Sequence, residues 1–159
     1  MHFLSFFQWC YQTQIGESIR ESIWLFPVIE AFHLLGLGLT IGAVLMVDLR
    51  LLGFGLVKQP AGQVAAAAEP WLLAGIALMF ASGVPLFLSE AVKCYNSFPF
   101  WVKMTSLLLV LLFTFTIHRR VALADLTGAR PPLGGTAAAL ISLFLWFGVA
   151  WGGRWIGFS

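Results

Sequence analysis

Charged residues are scarce in this sequence. Only 10% of its 159 residues are Asp, Glu, Lys or Arg, whereas 60% are hydrophobic. A soluble domain carries about 25% charged residues, so this composition excludes an ordinary soluble domain. The mean hydropathy of +0.91 agrees with that exclusion. We therefore expect an integral membrane protein whose constant partner is the lipid bilayer.

Several sequence signatures of chemistry are also missing. The formal net charge is only +2 and no dense Lys/Arg cluster occurs, so no nucleic acid partner is expected. No C-x-x-C pair, phosphate-binding glycine loop or Ser/His/Asp arrangement occurs. The two lone cysteines, Cys10 and Cys94, are compatible with a disulfide or with two unreactive thiols. The chain is not expected to be an enzyme alone, whereas a redox subunit fits this composition.

Four long apolar segments are present instead. A helix needs about 20 mostly apolar residues to cross the hydrocarbon core of a bilayer. The predicted spans cover residues 19–47, 71–91, 98–118 and 136–158, and residues 1–19 predict a short interfacial helix rich in aromatic side chains. The sequence therefore predicts an all-α, integral membrane four-helix bundle that forms a single membrane domain over residues 1–159.

Proline, glycine and charge mark particular points along these spans. Pro85 predicts a kink in the second span. The third span is expected to continue as helix through Arg119 to Asp125, before a turn that contains Pro131-Pro132. The pairs Gly38/Gly42 and Gly148/Gly152 have the small-xxx-small spacing that allows two helices to approach closely.

The basic residues favour one membrane orientation by a small margin. The loops after the first and third spans hold five of them, and the other side holds four. Because basic residues concentrate on the cytoplasmic side, both termini are predicted to lie outside.

His33 and His118 are the main candidates for a functional site. Each lies within or at the end of an apolar span, where an ionisable residue usually faces the bundle interior and marks function. His33 follows Arg20 by thirteen residues and His118 follows Lys103 by fifteen, which predicts similar depths of about 20 and 22 Å below one membrane face. The two imidazoles could then be the metal ligands of one haem b. Counting from Asp48 and Arg119 at the other face gives unequal depths, and this alternative stays open.

Five further residues are predicted to bind the same cofactor. Glu30 lies one helical turn before His33 and could orient its imidazole. The guanidinium groups are candidate partners for haem propionates, and they belong to Arg20, Arg119, Arg120 and Arg154. Lipid headgroups are the alternative partners for Arg20 and Arg154.

Several segments together resemble a known family. They are residues 24–36 (WLFPVIEAFHLLG), 48–53 (DLRLLG), 100–103 (FWVK), 118–119 (HR) and 153–156 (GRWI). This pattern resembles a family of small bacterial four-helix integral membrane proteins of unassigned function, which implies the bacterial inner (cytoplasmic) membrane. The two histidines on different helices give a looser likeness to four-helix b-type cytochromes and haem-bearing membrane anchors.

Three functions are compatible with these features. The first is a single-haem electron-transfer subunit that exchanges electrons with a quinone or a redox protein. The second is a cofactor-free accessory or assembly subunit that contacts other membrane subunits or forms a homo-oligomer. The third is a small proton-linked transporter that uses Glu30 and His33.

Overall fold

The computed structural model describes residues 2–124 and 134–157. These residues form six helices and no strand. They are α1 (His2–Tyr11), α2 (Gln14–Glu21), α3 (Leu25–Leu51), α4 (Ala61–Asn96), α5 (Phe98–Ala124) and α6 (Gly135–Ile156). The last four are long and apolar enough to cross a membrane. The predicted all-α bundle with four spans is therefore confirmed.

The amino-terminal segment consists of two helices rather than one. Thr13 separates them: its side chain donates a hydrogen bond to the carbonyl oxygen of Cys10 at 2.8 Å and accepts one from the backbone N–H of Gly16 at 3.3 Å. The first bond ends α1 and the second caps the start of α2. The helical periodicity of the hydrophobic residues in positions 1–19 does not reveal this break, because the break depends on the side chain of a single threonine.

The first span begins later than predicted. Ser22 has an extended backbone and ends α2, and its hydroxyl accepts a hydrogen bond from the backbone N–H of Leu25 at 3.2 Å. α3 therefore covers residues 25–51 rather than 19–47. It is followed by Gly53, whose φ of 81° lies in the left-handed region that favours glycine.

The second span is longer than predicted, and its distortion lies beyond the proline. α4 runs through Pro70 and Pro85 without a break, but Glu90 has φ −124° and ψ 24°, outside the helical range. Next to it, Arg20 donates a hydrogen bond to the carbonyl oxygen of Ser89 at 3.1 Å. A side chain that bonds carbonyls of a helix is a usual companion of a kink. The kink is therefore five residues after the predicted position.

The third span contains a π-helical turn. α5 includes this turn at Thr114–His118 and continues as α-helix from Arg119 to Ala124, as the sequence predicts. Its predicted end at Asp125 and the predicted turn at Pro131-Pro132 lie outside the described residues. α6 covers residues 135–156, so the predicted end at Phe158 also lies outside the described part.

The spans pack as two antiparallel pairs, α3 with α4 and α5 with α6, and α3 also contacts α6. α3 and α5 run in the same direction and face each other diagonally across the bundle. We call the end that holds the start of α3 and the end of α6 the terminal end, and the opposite end the loop end.

Glycine permits the closest helix contacts, but only one of the two predicted pairs takes part. A Cβ atom on Gly148 would lie 3.2 Å from Cβ of Ser106, and one on Gly152 would lie 2.8 Å from the carbonyl oxygen of Pro99. Gly38 and Gly42 have no such neighbour within 4 Å among the described residues. The prediction for that pair was wrong, because both residues lie on an exposed side of α3.

The close contact between α3 and α4 uses other glycines. A Cβ atom on Gly75 would lie 2.8 Å from the carbonyl oxygen of Gly36, and one on Gly36 would lie 3.0 Å from the carbonyl oxygen of Gly75. The two backbones touch here, which ties α3 and α4 together near the middle of the bundle.

Candidate functional site

A large cavity occupies the terminal end of the bundle. Its volume is about 1160 Å³, and its walls come from α1 and from all four spans. Most of the lining is aliphatic or aromatic. The ionisable residues in the walls are Glu30, His33, Glu90, Lys93, Lys103 and Arg154, together with the thiol of Cys94. We call this space the terminal cavity, and its shape is typical of a site for a mostly apolar ligand with a polar group.

His33 is held in a defined orientation in the wall of this cavity. Its Nδ1 atom lies 3.0 Å from Oγ of Ser82, and that hydroxyl donates to the carbonyl oxygen of Leu78 at 2.6 Å. Because the hydroxyl proton is used in this way, Nδ1 carries the proton of the neutral ring and donates to Ser82. Nε2 is left as an acceptor. Gly83 makes room for the ring, since a Cβ atom there would lie 3.2 Å from Cε1 of His33.

Lys103 contacts the acceptor nitrogen of His33. Its Nζ atom lies 3.4 Å from Nε2, so the ammonium group donates a weak hydrogen bond to the imidazole. The lining also includes Trp146, which is 3% exposed and whose indole N–H has no hydrogen-bond partner within residues 2–124 and 134–157. The terminal cavity therefore has a cationic donor and an imidazole acceptor side by side in an apolar wall.

A second polar group lies near the loop end. Nε2 of His118 is 2.6 Å from Oδ1 of Asp48, and Oγ of Ser142 donates to Oδ2 of the same carboxylate at 2.9 Å. Asp48 and Ser142 are 0% exposed, and His118 is 4% exposed. These three residues join α3, α5 and α6, and the 2.6 Å distance between His118 and Asp48 is as short as that of a hydrogen bond to a charged group.

A small cavity of about 40 Å³ adjoins this second group. Its lining includes His118 and Thr114, whose buried hydroxyl has no partner among the residues that the structure describes. Glu69 and Arg119 also line it, and they form an ion pair at 3.1 Å with both side chains partly exposed. The cavity therefore extends from buried His118 to the surface of the loop end.

The structure does not bring His33 and His118 together. His118 contacts Asp48, which follows His33 by fifteen residues on the same helix, or about 22 Å at 1.5 Å per residue. Two axial ligands must touch the same iron, so a haem shared by these two histidines does not fit. The depth of His118 was predicted by counting residues from Lys103 as if Lys103 lay at the membrane face. That prediction was wrong, because Lys103 lies at the level of His33.

The other predicted cofactor residues divide between the two ends. Glu30 and Arg154 line the terminal cavity, although His33 is oriented by Ser82 rather than by Glu30. Arg20 instead bonds carbonyl oxygens of Ser89 and Tyr11, and it does not line that cavity.

Arg119 and Arg120 lie at the loop end. Arg119 pairs with Glu69, and Arg120 is exposed. Their position, set by the helix that carries His118, keeps both away from His33.

Four residues in the polar groups around His33 and His118 were not predicted as site residues. They are Ser82, Lys103, Asp48 and Ser142. Lys103 and Asp48 carried a usable signal, because each is ionisable and lies inside an apolar helix of the bundle. Their positions near the ends of the predicted spans instead favour a location at the membrane face. The serines gave no such signal, since serine is common in membrane helices.

These features define a helical membrane protein with four spans, a large internal cavity at one end and a buried Asp–His pair near the other. The chain belongs to the family of unknown function DUF6644, whose family model matches residues 6–159. No curated protein and no solved structure matches it. The family likeness predicted from the sequence is confirmed, and the looser likeness to b-type cytochromes stays a prediction.

Proposed function

We propose that this membrane protein binds an isoprenoid quinone or quinol in the terminal cavity. The observation that carries the proposal is the pair of Lys103 and His33, whose nitrogen atoms lie 3.4 Å apart in the wall of a cavity of about 1160 Å³. A ligand for this site needs a large apolar body and a small oxygen-bearing head.

The apolar walls suit the body of such a molecule. Large apolar side chains from three different spans line the cavity, and they include Phe26, Phe80, Phe87 and Met104. Burying an apolar chain here gains about 25 cal/mol per Å² of surface removed from water. Within a bilayer that gain is smaller, because lipid tails offer the same contacts. Specific binding therefore depends on the polar residues.

Lys103 and His33 offer the two kinds of hydrogen bond that the head requires. The ammonium group of Lys103 donates, which suits the carbonyl oxygen of a quinone. Nε2 of His33 accepts, which suits the hydroxyl group of a quinol. Ser82 keeps the ring in the form with Nδ1–H, so the acceptor stays on the side of Lys103.

A haem held by His33 alone is the second candidate. The favouring observation is the hydrogen bond from Nδ1 to Ser82, because metal-bound imidazoles commonly donate from their second nitrogen. Lys93 and Arg154 line the same cavity, so their cationic groups could contact the propionates. Lys103 would have to move away from Nε2, so the quinone is the better fit.

The test uses the full chain purified in detergent and then placed in lipid nanodiscs. Organic extraction and mass spectrometry of the purified protein should recover a quinone, and a short-chain quinone analogue should bind saturably. Lys103→Met should weaken binding of the analogue by about tenfold or more, since hydrogen bonds to charged groups contribute about 1.5–3 kcal/mol. His33→Ala should weaken binding of the reduced, quinol form of the analogue by about fivefold, since a neutral hydrogen bond contributes about 1 kcal/mol.

Lys58→Met is the matched control, because Lys58 is exposed in the connection between α3 and α4. It should bind the analogue as the unmodified protein does. Equal affinity in all three variants, or equal uptake by empty nanodiscs, would contradict the proposal.

An absorption spectrum separates the two candidates. A Soret band that is lost in His33→Ala and retained in His118→Ala would favour haem. A colourless protein that yields neither haem nor quinone would favour the cofactor-free accessory subunit. The bacterial inner membrane and the outside position of both termini stay predictions, which cysteine labelling of Lys58→Cys in intact cells would test.

A further inference from the structure

The buried group of Asp48, His118 and Ser142 takes no part in the proposed binding of a quinone. It lies about 22 Å from His33 along the bundle, and its residues do not line the terminal cavity. A buried acid in a membrane helix is costly unless it is paired, and such residues commonly take part in proton transfer. We therefore expect this group to have a function separate from the binding of a quinone.

The hydrogen bonds show which atoms of this group carry a proton. Ser142 donates to Oδ2 of Asp48, and Nε2 of His118 donates to Oδ1 at 2.6 Å. With the carboxylate ionised and the imidazole neutral, the group has a net charge of −1 in a surrounding of low polarity. Adding one proton to Nδ1 of His118 turns the pair into an imidazolium and a carboxylate, whose charges cancel. Proton uptake thus removes an uncompensated buried charge.

A route for that proton is present. The small cavity beside His118 has a volume of about 40 Å³, which is enough for one water molecule. Thr114 contributes a buried hydroxyl that has no partner within the described ranges. Glu69 lines the same cavity and is partly exposed. A water in the cavity could bond Thr114 and pass a proton between Glu69 and His118.

We propose that Asp48 and His118 form a proton-binding site that exchanges one proton with the aqueous phase at the loop end through the cavity between Thr114 and Glu69. The proton adds to Nδ1 of His118 on uptake and leaves from the same atom on release. No electron or other reactant is required. The site is independent of the terminal cavity and of its ligand.

The charged groups around the site come from few elements. α3 contributes Asp48 and also Arg50, whose Nε donates to the carbonyl oxygen of Gln59. α4 contributes Glu69, and α5 contributes Arg119, which pairs with it. The described part of α6 contributes the hydroxyl of Ser142, which is not a titratable group near neutral pH. The carboxylate of Asp48 is therefore the charge in direct contact with the imidazole.

Nitrogen NMR of the three histidines tests the proposal in the full chain, labelled with ¹⁵N-histidine and held in nanodiscs. His2→Gln and His33→Gln assign the remaining signals to His118. In a series of samples lowered from about pH 8 to about pH 5, the Nδ1 signal of His118 should move from the unprotonated to the protonated position, while Nε2 stays protonated. A signal that stays in one form throughout this range would overturn the proposal.

Variants separate proton binding from a purely structural hydrogen bond. Asp48→Asn removes the negative charge that stabilises the imidazolium, so the change at Nδ1 should be lost from that pH range; an unchanged titration would also overturn the proposal. Thr114→Val and Glu69→Gln should slow proton exchange at His118 by about fivefold, the effect of one lost hydrogen bond. Glu21→Gln, which changes an exposed carboxylate of α2 outside both cavities, is the matched control and should leave exchange unchanged. Unchanged exchange in both route variants would overturn the route, and these variants serve even if Asp48→Asn does not fold.

Discussion

Lys103 of α5 reaches across the bundle to His33 of α3, with Nζ and Nε2 3.4 Å apart. Fifteen residues further along each of these helices, His118 meets Asp48. The two spacings agree because α3 and α5 run in the same direction, although the fifteen residues of α5 include its π-helical turn. The bundle therefore has one polar bridge between α3 and α5 at each end, and the two bridges face different cavities.

Removing the carboxylate of Asp48 should destabilise the bundle. Asp48→Ala leaves the imidazole of His118 and the hydroxyl of Ser142 buried without their partner, which should cost about 1–3 kcal/mol for each of the two groups. Unfolding of the purified protein by increasing fractions of sodium dodecyl sulfate measures this cost. Glu69→Ala is the matched control, because its ion pair with Arg119 is exposed and should contribute less than about 1 kcal/mol. Equal losses in the two variants would contradict the prediction.

The contact between α3 and α4 should not tolerate a side chain at Gly75. In Gly75→Ala the new methyl group would lie 2.8 Å from both the carbonyl oxygen of Gly36 and the backbone nitrogen of Thr40. The helices must separate, at a cost of about 1–3 kcal/mol. The same unfolding assay should show no loss for Gly38→Ala, since Gly38 has open space beside it. A Gly75→Ala protein as stable as the unmodified protein would contradict the close backbone contact between α3 and α4.

Ser82 should affect ligand binding without touching the ligand. Ser82→Ala removes the acceptor for Nδ1–H of His33, so the ring is free to turn and to take either tautomer. Affinity for the quinol form of the short-chain analogue should fall about fivefold, the effect of one hydrogen bond. Ser142→Ala, which changes a buried serine near the loop end, should bind the analogue normally. A larger loss in Ser142→Ala than in Ser82→Ala would argue against the orienting role of Ser82.

Arg20 should hold the amino-terminal helices against α4. It donates to the carbonyl oxygens of Ser89 and Tyr11, and its guanidinium lies 3.7 Å from the centre of the Tyr11 ring. In Arg20→Ala, hydrogen–deuterium exchange of residues 2–21 should rise while the spans keep their protection. Glu21→Ala removes an exposed charge beside it and is expected to leave exchange unchanged.

Cys10 should react slowly with maleimide, and the reaction should still accelerate above the pH at which an ordinary thiol is fully ionised. Cys10 is 3% exposed and is a free thiol. Burial raises the pKa of this thiol, so less of the reactive thiolate is present at a given pH. Labelling of a Cys94→Ala protein over a pH series measures this directly. Rapid labelling at neutral pH without denaturant would contradict the burial of Cys10.

The sequence predicts the elements well and their internal details poorly. Hydrophobicity over about 20 residues is a long signal, and it predicts all four spans. The break at Thr13 and the late start of α3 each depend on one hydroxyl group, which no periodic pattern reveals. The kink at Glu90 lies beside a hydrogen bond from Arg20 to the carbonyl oxygen of Ser89. Arg20 is far from Glu90 in the sequence, so the local pattern around Glu90 does not reveal this contact.

The candidate site was only partly predictable for a similar reason. His33 and Glu30 were predicted as cofactor residues, and the structure places both in the walls of the terminal cavity. The partners of the histidines were not predicted. Pairing Lys103 with His33 and Asp48 with His118 requires the depth of one helix relative to another, and sequence spacing along a single helix does not give that offset.

The π-helical turn at Thr114–His118 sets the rotational phase of the rest of α5. Up to the start of the turn, the inward positions of α5 include Phe100, Lys103, Val110 and Thr114. Beyond Thr114, Ile117 is 53% exposed, whereas His118 and Ala122 are buried. A π-helical turn holds one more residue than an α-helical turn, so it shifts the phase of every later residue by about 100°, one residue's share of a 3.6-residue turn. The turn therefore decides which side of the segment Arg119–Ala124 packs against α4.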